Sequence, residues 1–109
     1  MRIIEMNEGP KIPYYVEGTE IIFDDDTLSL KLSRRQRDWE VTVDVCSDED
    51  GNLVIGAATG RYYVAQLTVP AKQYTEPEGE DEQPEPLPLN IDDVTMALWA
   101  LVNYTPVSE

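Results

Sequence analysis

Histidine is absent from the 109-residue sequence, and cysteine occurs once, as Cys46. One cysteine cannot form an internal disulfide, and without histidine neither a zinc site of Cys/His type nor an imidazole base is available. These absences exclude serine-triad hydrolases, zinc enzymes and haem attachment. We therefore expect no catalytic residues, no metal ligands and no cofactor, and we predict that the protein is not an enzyme.

Basic residues and long apolar runs are also scarce. The chain has eight Lys and Arg residues and 22 Asp and Glu residues, which gives a net charge of −14. The resulting negative electrostatic field repels nucleic-acid phosphates and anionic lipid surfaces. No apolar run approaches the roughly 20 residues that span a bilayer. Glu5 and Glu8 stand where a signal peptide has its apolar centre. We expect a cytoplasmic protein with no nucleic-acid partner and no membrane partner.

Hydrophobic residues, by contrast, make up 41% of the chain, enough to fill the core of one domain over residues 1–109. They recur mostly at every second position between Gly, Asp, Asn and Pro, which is typical of short antiparallel strands. The pattern predicts an α+β fold that is mainly β, an antiparallel meander of about six to seven short strands forming a sandwich or partly open barrel. One C-terminal helix would pack on it.

The clearest alternation lies in WEVTVDVC, where Trp39, Val41, Val43 and Val45 share one face. SDEDGN then turns into LVIGAAT, and YYVAQLTVPA follows, which predicts a three-stranded meander. Earlier in the chain RIIEM predicts a strand, residues 12–26 predict a hairpin turning at residues 17–19, and TLSLKL predicts a further strand. Core packing is the simpler interpretation of Trp39, with a binding role as the alternative.

Two segments near the C-terminus depart from this pattern. Residues 76–86 hold six acids and three prolines without a large apolar residue, so we predict an exposed, flexible loop. Residues 90–104 change to helical spacing, with Asn90 as the cap and Asp92 and Asp93 in the first turn. The apolar face of this predicted helix comprises Val94, Leu98, Leu101 and Val102, and Trp99 adjoins it as a core or binding residue.

Several acidic clusters contain the residue types of a metal or acid–base site. Residues 48–52 resemble part of a calcium loop but lack its bidentate glutamate, so a hairpin turn is the better interpretation. Residues 24–26 predict a solvated turn, and Asp92 and Asp93 favour a helix start over acid–base chemistry. Cys46 at a strand end is typical of a small buried apolar residue.

Three of the eight basic residues, Arg34, Arg35 and Arg37, fall within four positions. They could form a solvated connection, clamp the acidic loop of residues 76–86, or make half of a charge-complementary contact with another subunit. Because the planar guanidinium suits bidentate carboxylate contacts, we predict that these arginines and Trp39 contact protein partners, a homo-oligomer among them.

LSRRQRDWEVTVDVCSDEDGNLVIGA, followed by VTMALWALVN, resembles small uncharacterised proteins encoded in prophages of Gram-positive bacteria. The resemblance implies a non-enzymatic structural or assembly protein of a phage-like particle, of tail, neck or head-completion type, found in the cytoplasm or in the particle. The alternative is an acidic DNA mimic that inhibits a host nuclease or DNA-binding protein.

Overall fold

The computed structural model describes residues 1–58, 60–77, 79–102 and 104–106. Eight strands dominate this part of the chain, and the helical elements are short. The strands are β1 (Arg2–Glu5), β2 (Tyr14–Glu17), β3 (Glu20–Phe23), β4 (Leu28–Lys31), β5 (Val41–Ser47), β6 (Leu53–Ile55), β7 (Tyr62–Val69) and β8 (Thr95–Leu98). A four-residue helix, α1 (Leu32–Arg35), follows β4, and a 3₁₀ turn (Ile91–Asp93) precedes β8.

The strands form two sheets, which confirms the mainly β prediction. One sheet has the order β2-β3-β4 and contains the predicted hairpin, with Gly18 in the left-handed region at φ 63° in its turn. The other has the order β1-β8-β7-β5-β6, in which β1 runs parallel to β8 and the other neighbours are antiparallel.

The predicted meander of β5, β6 and β7 is wrong, because β5 lies between the other two strands. The two long strands, β5 and β7, pair from Val41↔Val69 to Ser47↔Tyr62. The short β6 pairs only with the last three residues of β5. A three-residue strand covers little apolar surface, so it takes the edge while the long strands occupy the interior of the sheet.

The predicted C-terminal helix over residues 90–104 is also wrong. Asn90 does cap a turn, since its Oδ1 accepts a hydrogen bond from the Asp92 amide at 3.0 Å, but that turn is a 3₁₀ turn of three residues. The chain then enters β8, with Val94, Met96 and Leu98 buried at alternate positions. These three residues fit the spacing of a strand, whereas the predicted apolar face fits the spacing of a helix. Pairing with β1 on one side and β7 on the other favours the strand.

Side chains from both sheets meet in one core. In the five-stranded sheet, Val43, Leu67 and Met96 lie opposite one another across three strands. Ile21, Phe23, Leu30 and Leu32 bring the three-stranded sheet and α1 into the same cluster. Burying these aliphatic and aromatic side chains is the main source of stability.

A β-bulge changes the parity of β7. Val45 lies opposite Ala65 but Cys46 lies opposite Tyr63, so Val64 is the extra residue. Val64 is therefore buried and Tyr63 is exposed, so the strict period-two alternation ends at Ala65 on this strand. In the described ranges no helix is both long and apolar enough to cross a membrane.

Candidate protein-interaction surface

The arginine cluster lies on and just after α1. Leu32 is fully buried, and its amide donates to the Thr19 carbonyl at 3.0 Å, which fixes the start of the helix against the β2–β3 turn. Arg34 and Arg35 follow within the same turn. Arg37 folds back, and its Nη1 donates to the carbonyls of Arg34 and Gln36, each at 3.0 Å. The arginines are thus held by a short, well-anchored element.

These arginines line a shallow concavity of about 360 Å³ at the end of β4. We call it the basic concavity; its lining residues are Ser29, Leu30, Lys31, Arg34, Arg35 and Arg37. Lys31 was missed by the sequence analysis, although it stands only three positions before Arg34. Because the last residue of β4 leads directly into α1, the strand and the helix bring four cations to one surface.

Buried Gln36 fixes the position of this surface relative to β7. Its Nε2 donates to the Pro70 carbonyl at 3.1 Å and approaches the Ala71 carbonyl at 3.5 Å. Next to it, the Lys72 amide donates to the Arg37 carbonyl at 2.7 Å. A buried side-chain amide whose acceptors lie on another segment holds the two segments in place, because breaking these hydrogen bonds would leave a buried polar group unsatisfied.

Trp39 lies outside the strand to which the alternation assigned it. β5 begins at Val41, and the Trp39 side chain is 64% exposed, so the core interpretation is wrong. The bend at residues 38–39, between the basic concavity and β5, interrupts the period-two pattern. An exposed indole beside a cluster of arginines has the composition of an interface hot spot. The binding role of Trp39 stays a prediction.

The acidic segment forms a narrow hairpin between β7 and β8. The Thr75 amide donates to the Glu85 carbonyl at 2.9 Å, and the Glu85 amide returns a bond to Thr75 Oγ1 at 3.0 Å. Near the tip, the Glu82 amide donates to the Gly79 carbonyl at 3.2 Å. We call residues 75–85 the acidic arm. Every described residue from 72 to 88 is exposed.

The base of the acidic arm is attached beside the basic concavity. Tyr74 donates a hydrogen bond to Asp38, the residue after Arg37. This hydrogen bond, followed by partial desolvation, raises the pKa of the Tyr74 hydroxyl. The radius of gyration, 16.3 Å, exceeds the roughly 13 Å of a compact domain of this length. Together with the exposure of every described residue from 72 to 88, this elongation indicates that the arm packs little against the domain, although it starts next to the arginines.

A clamp of the arginines onto residues 76–86, one of the three alternatives for this cluster, is not formed within the described residues. None of Arg34, Arg35 and Arg37 makes an ion pair with a described carboxylate. The ion pairs found there join other groups, Arg61 to Glu49 at 2.7 Å and the Met1 amino group to Asp92 at 3.6 Å. Among the residues that the structure describes, no carboxylate neutralises the basic concavity through an ion pair.

The remaining acidic clusters have structural partners. Asp48 Oδ1 accepts from the amides of Asp50 and Asn52, both at 2.9 Å, and Gly51 adopts φ 80°, so residues 48–52 form the predicted hairpin turn. Within the residues that the structure describes, no group of three His, Cys, Asp or Glu side chains could hold a metal ion. Cys46 is buried as predicted, and desolvation raises the pKa of its thiol.

The acidic turn, residues 24–26, differs from its prediction. Asp24 is fully buried, not solvated, and accepts a hydrogen bond from Tyr104. All three aspartates have positive φ, of 49°, 53° and 69°, a conformation that costs an L-residue about 1 kcal/mol or more. Burial, followed by the bond to Asp24, raises the pKa of Tyr104 to about 12. The turn is part of the packed structure.

The edges of both sheets carry exposed apolar side chains. Each residue of β1 and of β2 is exposed, including Ile3 and Ile4 on the first strand. On β2 the exposed apolar side chains are Tyr14, Tyr15 and Val16. In the interior of the larger sheet, half-buried Trp99, which follows β8, packs on Tyr63 of β7 with ring centroids 5.1 Å apart. The edge strands β1 and β2 each offer one unpaired side of backbone beside apolar side chains.

Comparisons with protein-family models, with curated proteins and with solved structures found no match to this chain. The resemblance to prophage proteins therefore stays a prediction based on the sequence.

Proposed function

We propose that this protein is a non-enzymatic structural or assembly component of a phage-like particle, of tail, neck or head-completion type, and that it acts through protein–protein contacts. The observation that carries the proposal is the state of edge strands β1 and β2. Both are exposed along their whole length and both bear large apolar side chains. A free edge of this kind invites strand pairing with another chain, and soluble monomers normally protect it.

The hydrogen bonds of β1 show which side of the strand is available. The Arg2 amide donates to the Val94 carbonyl at 2.9 Å, and the Met6 amide donates to the Leu98 carbonyl at 2.8 Å, both toward β8. Among the described strands none pairs with the opposite side of β1. An added strand would form backbone hydrogen bonds there and cover Ile3 and Ile4. Such contacts suit an assembly protein, because strand pairing requires only a matching backbone edge and no catalytic group.

The charge distribution supports the same function. Four cations converge in the basic concavity of a chain whose net charge is −14. A DNA mimic instead needs carboxylates in a fixed array without opposing charge. The acidic arm starts next to the arginines, so the acids and the cations form two complementary surfaces. Electrostatic complementarity of this kind selects partners and fixes their orientation.

Analysis of particles tests the proposal. Particles produced by the element that encodes the chain are purified and examined by quantitative mass spectrometry, and the chain is expected at a fixed ratio to the other particle proteins. Deletion of its gene is expected to stop assembly at a head or tail intermediate. Complete particles that lack the chain, together with salt-sensitive competition against DNA for a basic protein, would overturn the proposal in favour of the DNA mimic.

A matched pair of variants tests the role of the β1 edge. Ile4→Lys places a charge on the apolar edge, whereas Glu5→Lys places the same residue on the next, already polar position. We expect exclusion of Ile4→Lys from particles and normal incorporation of Glu5→Lys, because the first replaces an apolar side chain that an added strand would cover, whereas the second exchanges one exposed charged side chain for another. Both variants are checked for an unchanged thermal unfolding profile, since Ile4 and Glu5 are exposed.

A further inference from the structure

We propose that the free edge of β4 and the basic concavity beside it bind an acidic segment of another protein, which adds to the smaller sheet as a fourth strand. The inference rests on the proposed function in one respect, that the chain acts through protein–protein contacts. It adds the chemistry of one partner, an extended peptide that carries carboxylates, and the mode in which this peptide binds.

The first observation is that β4 has unpaired backbone groups. β4 is the last strand of the order β2-β3-β4, so no described strand lies on its other side. Along an antiparallel strand, successive residues turn their N–H and C=O groups to opposite sides. The Leu32 amide donates to the carbonyl of Thr19, which precedes β3, so the even-numbered residues of β4 turn toward β3. The N–H and C=O of Ser29 and the N–H of Lys31 therefore lie on the free side, while the Lys31 carbonyl begins α1.

The second observation is that the free edge and the basic concavity share residues. Ser29 and Lys31 carry the free backbone groups, and both also line the concavity beside the three arginines. In the described part of the chain, none of the four cations of the concavity forms an ion pair. A peptide that pairs with the edge of β4 thus lies beside this positive charge, which attracts carboxylates on the peptide.

The third observation concerns Arg37, whose guanidinium is already oriented. Its Nη1 donates to the carbonyls of Arg34 and Gln36, each at 3.0 Å. The Nε and Nη2 groups lie on the other side of the guanidinium, where they form a planar fork that binds a carboxylate through two parallel hydrogen bonds. A side chain that is held in place before binding loses less conformational entropy on binding. Arg37 is thus prepared to bind a carboxylate.

A peptide fits these observations better than a nucleic acid, the other extended polyanion. A phosphate backbone has no donor for the Ser29 carbonyl, whereas a peptide backbone supplies a donor and an acceptor at the spacing of the strand. The chain as a whole carries a net charge of −14, which repels a long polyanion. A short acidic segment contacts the concavity and little else of the acidic surface.

Peptides with blocked edges test the proposal. The probe is a fluorescein-labelled eight-residue peptide in which glutamate and threonine alternate, and fluorescence anisotropy at low salt is expected to give a Kd below about 0.1 mM for the unaltered chain. Two further peptides carry N-methyl groups, one on every glutamate and the other on every threonine. Their charges are equal, but each lacks the donors of a different edge. Because one edge of the peptide pairs with β4, we expect one of them to bind like the probe and the other at least about tenfold more weakly.

Matched variants of the chain test the cations. One variant carries Arg34→Gln and Arg35→Gln, which removes two charges from the concavity. Its control carries Lys11→Gln and Arg61→Gln, which removes two charges from residues that do not line the concavity. We expect the arginine variant to bind the probe at least about tenfold more weakly than the unaltered chain, and the control to stay within about twofold. Circular dichroism checks the fold of each variant.

A second pair of variants tests the backbone edge. Ser29→Pro removes the N–H on the free side and leaves the bonds to β3 in place, because an edge strand tolerates proline where the N–H faces away from the sheet. Ser29→Ala keeps that N–H and is the control. We expect binding of the probe to weaken at least about tenfold in the proline variant and to stay within about twofold in the alanine variant. The methylated peptides test the same edge on the unaltered chain, so a proline variant that does not fold leaves the test intact.

Four results would overturn the proposal. One is an unaltered chain that does not bind the probe at concentrations up to about 1 mM. Equal binding of the two methylated peptides would show attraction between charges without strand pairing. Tighter binding of an oligothymidylate with the same number of charges would assign the concavity to nucleic acid, and self-association that the arginine variant abolishes would assign it to a second copy. Normal incorporation of the chain into particles in any of these cases would leave the proposed function standing while the acidic partner fails.

Discussion

Two acidic segments of this protein differ in almost every structural respect. The acidic turn, residues 24–26, holds three consecutive aspartates, and the first of them is buried in the core with a hydrogen bond from Tyr104. The acidic arm holds six acids, and each of its described residues is exposed. Charge density alone thus does not decide burial. Asp24 is buried with a hydrogen bond from Tyr104, 80 residues away in the sequence, whereas Asp26 accepts a hydrogen bond from Tyr15 and stays exposed.

The largest expected effect is that of Asp24→Ala. The variant leaves the Tyr104 hydroxyl without its acceptor and opens space in the core, so we expect a loss of about 3 kcal/mol in the free energy of unfolding. The corresponding fall in Tm, measured by calorimetry, is more than about 10 °C. Asp26→Ala is the control, since Asp26 also has positive φ but is exposed. Equal stability of the two variants would contradict the structural role of Asp24.

Tyr104→Phe removes only the hydroxyl of the same pair. We expect a loss of about 1.5 kcal/mol, smaller than that of Asp24→Ala because the ring stays in place and only the charge-assisted hydrogen bond is lost. Tyr74→Phe is the matched control, because its hydroxyl also binds an aspartate, but at an exposed position. Urea denaturation of both variants measures the difference, and a larger loss in Tyr74→Phe would reverse the comparison.

Alkaline pH tests the same bond without a mutation. The pKa of Tyr104 rises from an ordinary value of 10.0 to about 12 in the folded protein. Between these values the folded state keeps a proton that the unfolded chain releases, so the stability from this group is complete below pH 10 and declines as the pH rises toward 12. Denaturant unfolding across this range is expected to show a steeper decline for the unaltered protein than for Tyr104→Phe.

A smaller effect concerns the backbone of the acidic turn. Asp25 is exposed with φ 53°, so Asp25→Gly and Asp25→Ala remove the same carboxylate, while only glycine adopts this conformation without strain. We expect the alanine variant to be less stable than the glycine variant by about 1 kcal/mol. Thermal unfolding of the pair measures this difference. Equal Tm values would mean that the turn relaxes out of the left-handed region.

The smallest effect on stability is expected in the acidic arm. Replacing residues 76–84 by Asn-Gly joins Thr75 to Glu85 through a two-residue hairpin turn, and we expect a change of less than about 0.5 kcal/mol. In the unaltered chain, limited proteolysis is expected to cut first within residues 76–86. These residues include no large apolar side chain whose burial would offset the entropy lost on ordering. A protected arm, or a large fall in Tm on shortening, would show that the arm is docked.

The sequence predicts those parts of the fold in which the alternation and the turn residues agree. The hairpin around Gly18, the turn at residues 48–52 and the strands β1, β4, β5, β6 and β7 are of this kind. For the residues of β8 the sequence predicts a helix, because Val94, Leu98 and Leu101 satisfy helical spacing, but Val94, Met96 and Leu98 satisfy strand spacing as well. Only the neighbouring strands β1 and β7 distinguish the two, and local patterns carry no information about neighbours.

The candidate surface was predictable to a similar degree. The three arginines are conspicuous because the chain is so acidic, and Lys31 could have been added from its place three residues before Arg34. In the sequence Trp39 continues the apolar alternation of β5. The bend that separates Trp39 from the strand contains no glycine or proline that would predict it. The attachment of the acidic arm beside the arginines depends on Gln36 and Tyr74, whose partners are remote in sequence.

The place of β1 beside β8 has a consequence for how the protein is made. Arg2 pairs with Thr95 and Glu5 with Leu98, so the partner of the first strand is translated roughly 5–20 s after it. During that interval β1 has no neighbour and β7 has one unpaired side, although both carry apolar residues. The nascent chain thus passes through a stage in which the backbone of β1 and one side of β7 are exposed together with apolar side chains. Slow translation of the region between β7 and β8 would prolong that stage and increase aggregation.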